Sequence, residues 1–437
     1  MQTEKRYRIT GGQQLNGTIA VSGAKNAISK QLVASLLTDE PCILSNVPRI
    51  SEISVILDML ENIGTTYEWL DEHTLRVQTA KIASSVVSQK YSGFNRIPIL
   101  MLSPLLHRTG EVTVPTVGGC NIGPRPVDFH IKALETMGAE IVDEGDRYKA
   151  TGRELHGTTV RLPYPSVGAT ENILIAATLA RGTTVIENAA VEPEVIDTML
   201  FLQKMGALIQ VDVDRTVIIE GVPRLHGTSH HAITDRIEVA SFAAAAVATN
   251  GRVTIQNAQQ EHMISFLNML RKAGGDFTVD REGMTFFRQE DLLRGTHIET
   301  DVHPGFMTDW QQPFVVLLTQ ARGVSVVHET VYENRFGYTE ALRKMGADID
   351  LSTACLGSKF CRFRNHDHLH SCIVRGPTKL QGAEIAIPDL RAGFAYLIAA
   401  LVARGTSELS GIRYIERGYA GVPEKLRAIG AAIEVRS

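Results

Sequence analysis

A chain of 437 residues has room for two or three domains at roughly 150 residues each, and its 44% hydrophobic content can supply each with a core. Lys plus Arg number 44 against 48 Asp plus Glu, a net charge of −4, which excludes recruitment of nucleic acid or an acidic membrane by a global basic field. The longest apolar run, Phe394 to Ala403, is far short of the roughly 20 residues of a bilayer crossing, and the opening Met1-Gln-Thr-Glu-Lys-Arg lacks a secretory hydrophobic segment, so a cytoplasmic protein is expected.

Taken in chain order, one pattern is written six times. The first unit has Leu15-Asn-Gly17 ahead of a strand, the loop Ser22-Gly-Ala-Lys25-Asn26, and an amphipathic helix Leu57-Asp-Met-Leu-Glu-Asn-Ile-Gly64. The second lacks the Leu-x-Gly signal; Arg96 opens its helix, and Ile131 to Gly138 is its amphipathic segment. The third runs Leu155-His-Gly157, then Ser166-Val167-Gly168-Ala-Thr-Glu171-Asn172, the apolar Leu174 to Gly182, and Leu200 to Gly206. The fourth has Leu225-His-Gly227, Asp235-Arg236-Ile-Glu238, an Ala-rich helix and Leu267 to Gly274. The fifth has Leu293-Arg-Gly295, His303-Pro-Gly-Phe-Met-Thr-Asp309, Phe314 to Gly323, Glu329 to Arg335, and Glu340 to Gly346. The sixth has Leu380-Gln-Gly382, Asp389-Leu-Arg391, Tyr396 to Gly405, Arg417 and Lys425 to Gly430.

The closing glycines recur at intervals of 74, 68, 68, 72 and 84, and Gly at that place reads as a left-handed helix C-cap. Helices without a polar face belong inside. Each unit therefore predicts strand, loop, buried helix, strand, amphipathic helix, strand. Six such units divide into two lobes of three, and the loops before the buried helices would face one cleft. Helix N-termini there favour anions by roughly 0.3–1 kcal/mol apiece.

The loops carry Lys25, Arg96, Arg236, Arg391 and several carboxylates, a set hard to explain as ordinary surface although any one member could be a helix cap. The Gly- and Pro-rich stretch Pro115-Thr-Val-Gly-Gly-Cys120-Asn-Ile-Gly-Pro-Arg125-Pro-Val-Asp128 reads as a lid whose thiol, close to Arg125, has a stabilised thiolate. Arg335 and Arg417 offer planar forks for phosphate or carboxylate. The five cysteines, Cys42, Cys120, Cys355, Cys361 and Cys372, match neither a disulfide framework nor paired metal knuckles, and their thiols are expected to be free. In Cys361-Arg-Phe-Arg-Asn-His366-Asp-His368-Leu-His370-Ser-Cys372 the alternating histidines would share one strand face. No second half of a four-ligand site is evident in the sequence, so the tract reads as a solvated hairpin and no metal is assigned.

These motifs, with Glu187-Asn-Ala-Ala-Val-Glu192-Pro-Glu, Thr308-Asp309, Tyr332-Glu-Asn-Arg335-Phe and Arg417-Gly-Tyr419, resemble in order and over essentially the whole chain the UDP-N-acetylglucosamine enolpyruvyl transferases, which open peptidoglycan precursor synthesis. The resemblance implies a two-lobed inverse α/β barrel of six βαβαβ-type repeats, with lobes 25–233 and 1–24 plus 234–437 and the active site in the cleft between them. It implies enolpyruvyl transfer from phosphoenolpyruvate to the 3-hydroxyl of UDP-N-acetylglucosamine by addition and elimination, with release of phosphate and no metal or organic cofactor. It further implies that Cys120 protonates the methylene carbon and that Asp309 acts as base. Lys25, Arg125 and Arg417 resemble the phosphoenolpyruvate clamp, joined by Arg335 and Arg391, and Asn26, Arg96, Asp128, Ser166, Val167, Gly168 and Val331 resemble nucleotide-sugar positions. Tyr164-Pro165 stands where many members have Lys two residues before Ser-Val-Gly, which leaves open another nucleotide or nucleotide-sugar acceptor. A noncatalytic sugar-nucleotide-binding paralogue is the remaining alternative, against which Cys120 and Asp309 argue. The expected partners are these two small substrates, without nucleic acid, membrane or obligate protein partner.

Overall fold

The computed structural model describes residues 5–118, 126–289, 292–358 and 361–436. Among these, residues 22–118 with 126–233 form one compact unit and residues 5–21 with 234–436 another. No described helix is long and apolar enough to cross a membrane, and Cys42, Cys355, Cys361 and Cys372 are free.

The repeat is realised as a small sheet wrapped around a buried helix. In the third unit Thr159–Arg161 lies parallel to Thr183–Glu187, the two being joined through the helix Val167–Ala177. The amphipathic helix Pro193–Lys204 then leads to the antiparallel strands Leu208–Asp212 and Thr216–Glu220. The first five units thus end in two strands, one more than the sequence pattern predicts, while the sixth ends in Ala432–Arg436 alone and takes its second from Arg6–Thr10. The second unit, which lacks Leu-x-Gly, has a three-stranded sheet of Glu111–Pro115, Arg147–Thr151 and Glu140–Asp143. A single parallel bridge, Val86 to Thr113, stands where the others have a first strand. All described sheets are open; none closes into a hydrogen-bonded barrel.

Two units exchange their first strands, which the repeat pattern does not predict. Asn16–Ala20 directly precedes the helix Lys25–Ala34 but pairs with Arg252–Gln256. Ser229–His231 precedes the helix Arg236–Ala248 but pairs with Cys42–Ser45. In the sixth sheet, Arg6–Thr10 lies between Thr406–Ser410 and Ala432–Arg436.

The glycine signals have two separate causes. All six closing glycines, Gly64, Gly138, Gly206, Gly274, Gly346 and Gly430, have φ between 88° and 113°, where a Cβ is strained. In Leu-x-Gly the leucine is a core residue, never more than 3% exposed. At Gly157, Gly227, Gly295 and Gly382 a Cβ would run into the carbonyl of Thr183, Pro41, Val324 and Thr406 respectively. The glycine is there because two backbones touch.

Inside the unit of residues 5–21 and 234–436, the helices Arg236–Ala248, Thr308–Leu318 and Leu390–Val402 pack on one another. The first is buried at every position; its alanines admit close approach, and Phe242 meets Phe394 edge to face at 5.1 Å. Phe266, Phe306, Trp310 and Phe314 form an aromatic cluster beside them, each buried ring contributing about 1.5–3 kcal/mol. In the other unit, Lys30 Nζ lies 3.5 Å from the fully buried Glu171 and ties the helix Lys25–Ala34 to Val167–Ala177. Gln31 Nε2 donates to Asp197 at 2.7 Å, and Asp197 also meets His230 Nε2 at 3.0 Å.

Two stability measurements follow from these contacts. Gly346→Ala, with Lys379 O at 3.5 Å from the added Cβ, should cost about 1–2 kcal/mol of conformational strain. Gly227→Ala should cost more because the Pro41 backbone must move, and denaturant midpoints in the reverse order would refute the distinction. Burial raises the Glu171 carboxyl from 4.5 to about 7 despite Lys30. Between those values the unfolded chain has released the proton that the folded chain keeps, so stability falls as pH rises from about 4.5 to 7, by about 3 kcal/mol. Glu171→Gln should flatten that part of the stability profile; an unchanged slope would assign it elsewhere.

Candidate active site

In the unit of residues 22–118 and 126–233, Lys25 opens its helix behind Ala24, which provides no side-chain cap. A Cβ at Gly23 would strike the Asn46 carbonyl, so the turn into this helix is tight. Lys25 Nζ lies 3.4 Å from Glu52 Oε1, and both side chains are largely buried. The Asn26 carbonyl receives Lys30 Nζ at 2.9 Å, which links Asn26 through Lys30 to Glu171. Arg96 precedes the helix Ile97–Leu100 and donates to Pro126 O at 3.2 Å. Ser166 caps Val167–Ala177, its hydroxyl accepting from Ala169 N at 3.4 Å. Val167 and Gly168 are half-buried, and a Cβ on Gly168 would come within 3.1 Å of the His130 ring. Asp128 opens Asp128–Thr136 with its side chain exposed. The helices beginning at Lys25, Ile97, Asp128 and Val167 form one packed group: the first touches the second, and the last touches the second and the third. Cys120 and Arg125 lie outside the described residues.

The other unit gathers three predicted residues at one point. Asp309 sits in the first turn of Thr308–Leu318, where Met307 offers no side-chain cap. Its Oδ1 is bonded to Arg335 Nη2, and its Oδ2 lies 3.1 Å from Arg391 Nε. Side-chain exposure is 16% for Asp309, 2% for Arg335 and 7% for Arg391. Arg391 also donates to the Tyr419 hydroxyl at 3.0 Å. Gln312, with its amide oxygen toward Arg335, accepts from Nε at 2.7 Å. Burial works against both guanidinium charges, yet Asp309 outweighs it with help from Glu329 at Arg335 and from Tyr419 and Asp235 at Arg391, and both pKa values rise. Both arginines therefore remain charged. Arg417 follows the short helix Arg413–Glu416 and is half-buried.

Beneath this cluster lies a carboxylate to which the sequence reading gives no role. Glu329 accepts from Thr308 Oγ1 at 2.9 Å and Gln311 Nε2 at 3.0 Å on one oxygen, and from Val331 N at 2.8 Å and Tyr332 N at 3.1 Å on the other. It thereby fastens the turn bearing Asp309 to the loop bearing Val331 and Arg335. Burial raises its pKa, against the pull of Arg335 and these donors. Its sequence signal is an acidic residue directly after an apolar strand. Glu52, the partner of Lys25, likewise has no role in the sequence reading, and its sequence signal is an acid in a helix first turn.

Other loop residues serve the fold. Asp235 and Asp389 are helix caps, accepting from Ile237 N and Glu238 N, and from Arg391 N and Ala392 N. Arg236 lies over the Trp310 ring at 5.2 Å, and Glu238 pairs with Lys425 at 2.6 Å. A carboxylate at a buried helix start satisfies the free N–H groups of the first turn. The expectation that His366, His368 and His370 share a strand face is corrected, because the strand begins at Ser371. His366 is exposed while His370 is fully buried.

Chemically, a carboxylate between two buried, charged guanidiniums can accept a proton once one guanidinium turns to an incoming anion. Those guanidiniums are held in place before any anion arrives, an arrangement suited to stabilising negative charge.

The family profile for EPSP synthase (3-phosphoshikimate 1-carboxyvinyltransferase) matches residues 9–426. A UDP-N-acetylglucosamine 1-carboxyvinyltransferase from Protochlamydia amoebophila is 52% identical over 98% of this chain and 94% of its own length. One from Chlamydia abortus is 48% identical over 98% of both. Among solved structures, the enolpyruvyl transferase NikO from Streptomyces tendae has a similar fold, with a TM-score of 0.87 at 22% identity over 99% of each chain. EPSP synthase from Acinetobacter baumannii has the same fold at a TM-score of 0.77 and 18% identity over 100% of each chain. The chain belongs to the EPSP synthase family and, within it, to the UDP-N-acetylglucosamine 1-carboxyvinyltransferases.

Proposed function

We propose that this chain transfers the enolpyruvyl group of phosphoenolpyruvate to the 3-hydroxyl of UDP-N-acetylglucosamine, releasing phosphate, and acts in the cytoplasm at the entry to peptidoglycan precursor synthesis. The observation that carries this reading is near-full-length identity to proteins bearing that name, together with an Asp309 held between Arg335 and Arg391.

In the addition step the sugar oxygen bonds to C2 of phosphoenolpyruvate, its proton passes to Asp309, and the methylene carbon gains a proton from Cys120. In the elimination step the C2–O bond to phosphate breaks, the new methyl group returns a proton to the Cys120 thiolate, the phosphate leaves with the proton held by Asp309, and the enol ether forms. General acid and base each contribute typically 10²–10⁴-fold. Lys25, Arg125 and Arg417 hold the donor in this reading, while Arg335 and Arg391 meet the charge gathering on phosphate. Asn26, Arg96, Asp128, Ser166, Val167, Gly168 and Val331 hold the nucleotide sugar. Tyr164 and Pro165, half-buried next to Ser166, are the positions at which a different acceptor would register.

Phosphate release from phosphoenolpyruvate across a panel of UDP-sugars and free nucleotides tests the assignment. UDP-N-acetylglucosamine should be preferred at least tenfold, and equal release with free nucleotides would refute the acceptor. Asp309→Asn keeps the shape of the carboxylate and should lower kcat by about 10²–10⁴, with the KM for phosphoenolpyruvate within a few-fold; a pure KM effect would remove Asp309 as base. Cys120→Ala should lose both turnover and alkylation by fosfomycin, and retention of both would take Cys120 out of the reaction.

A further inference from the structure

His328, Cys355, Cys361 and His370 place their ligand atoms within 4.8 Å of one another, although they come from three places in the chain. His328 ends the strand Ala321–His328. The other three lie in the excursion between the strands Asp348–Ser352 and Ser371–Gly376. His328 and His370 are 0% exposed and Cys361 is 2% exposed.

We propose that these four side chains bind one zinc ion in a tetrahedral Cys2His2 site. Zn–S bonds of about 2.3 Å and Zn–N bonds of about 2.0–2.1 Å set ligand atoms about 3.3–3.8 Å apart, and Cys355 Sγ already stands 3.3 Å from His370 Nε2. The outer contacts orient the rings. His370 Nδ1 donates to the His368 carbonyl at 2.7 Å, so Nε2 presents its lone pair to the cluster. Among the described residues, neither ring nitrogen of His328 has a hydrogen-bond partner. Glu299 Oε1 lies 3.6 Å from its Nδ1, and a Cβ at Gly357 would strike the same nitrogen, which leaves Nε2 for the metal. A carboxylate behind a ligating imidazole is the usual outer support of such sites. A fully buried imidazole without a partner is otherwise unfavourable.

Binding converts two thiols to thiolates and releases two protons, so the ion, two thiolates and two neutral imidazoles are together uncharged. Two sulfurs and two nitrogens in tetrahedral array favour zinc over the oxygen-seeking magnesium or calcium. The five residues between Cys355 and Cys361 exceed the usual knuckle spacing, which hides the site from motif reading.

The role is structural. Zinc would fasten the excursion to the end of the Ala321–His328 strand, next to the loop that carries Val331 and Arg335. Glu329 N donates to the His370 carbonyl at 2.7 Å, and the Arg362 guanidinium bonds the Val331 carbonyl and approaches Glu333 at 3.4 Å. The ion thus sits behind Glu329 and acts on the candidate active site by positioning.

Metal analysis of the full chain, purified reduced and without chelator, should find one zinc per chain. Cobalt exchange should give the intense visible bands of a tetrahedral site with a thiolate-to-cobalt charge-transfer band. Cys355→Ser and His370→Ala should lose the metal, Cys42→Ala should keep it, and chelation should lower the Tm of the parent protein but not of Cys355→Ser. Reduced protein that carries no zinc and gives no tetrahedral cobalt spectrum overturns the proposal. So does a Cys355–Cys361 disulfide found in anaerobically prepared protein. The cobalt readout on the unaltered chain decides the matter if a variant fails to fold, and none of these measurements depends on turnover.

Discussion

Two guanidiniums and a carboxylate share one nearly dry place in the unit of residues 5–21 and 234–436, and much of the surrounding architecture follows from holding them there. Each buried ion costs several kcal/mol to remove from water, so the charges persist only if every neighbour is matched. Gln312 faces Arg335, Tyr419 faces Arg391, and Glu329 anchors both the turn and the loop from which Asp309 and Arg335 project. The helix Thr308–Leu318 divides accordingly. Its first turns are polar and serve the cluster, and its remainder, from Phe314 onward, is apolar and serves the core. An anionic ligand can replace Asp309 as a partner of one guanidinium without a fresh desolvation of that arginine, since the arginine is already buried.

What the sequence discloses and what it hides separate along the range of the interactions. Helix closure by a left-handed glycine is local, and all six instances read directly from the chain. The Leu-x-Gly signal is also local, although its cause is contact between backbones of different strands. Strand partnership is not local. Nothing in residues 16–20 says that they will pair with 252–256 rather than with the strand that follows their own helix, because a parallel partner is selected by packing across the whole unit.

The same division holds for the site. Asp309, Arg335 and Arg391 were singled out as charges at helix starts and in a return loop, and the fold brings them together. Asp235 and Asp389 carried the same signal and turned out to be caps, since the residue type suits both tasks. Glu329 is not legible in the sequence because its four donors come from residues spread between Thr308 and Tyr332. The histidine tract misled for a related reason. Its periodicity pointed to a strand, while the side chains that surround His370 come from His328, Cys355 and Cys361, beyond the window in which alternation can be judged.

The strand Arg6–Thr10 occupies the interior of a sheet whose other members are Glu384–Ala386, Thr406–Ser410 and Ala432–Arg436. On the ribosome this segment emerges long before its neighbours. At about 5–20 residues per second it waits roughly 20–80 s before a partner exists. Until then the sixth repeat cannot close, and the nascent chain carries an unmatched β-segment. This unit therefore reaches its native hydrogen-bonding only after residues 384–436 have been made, which places its assembly late in synthesis relative to the residues that begin it.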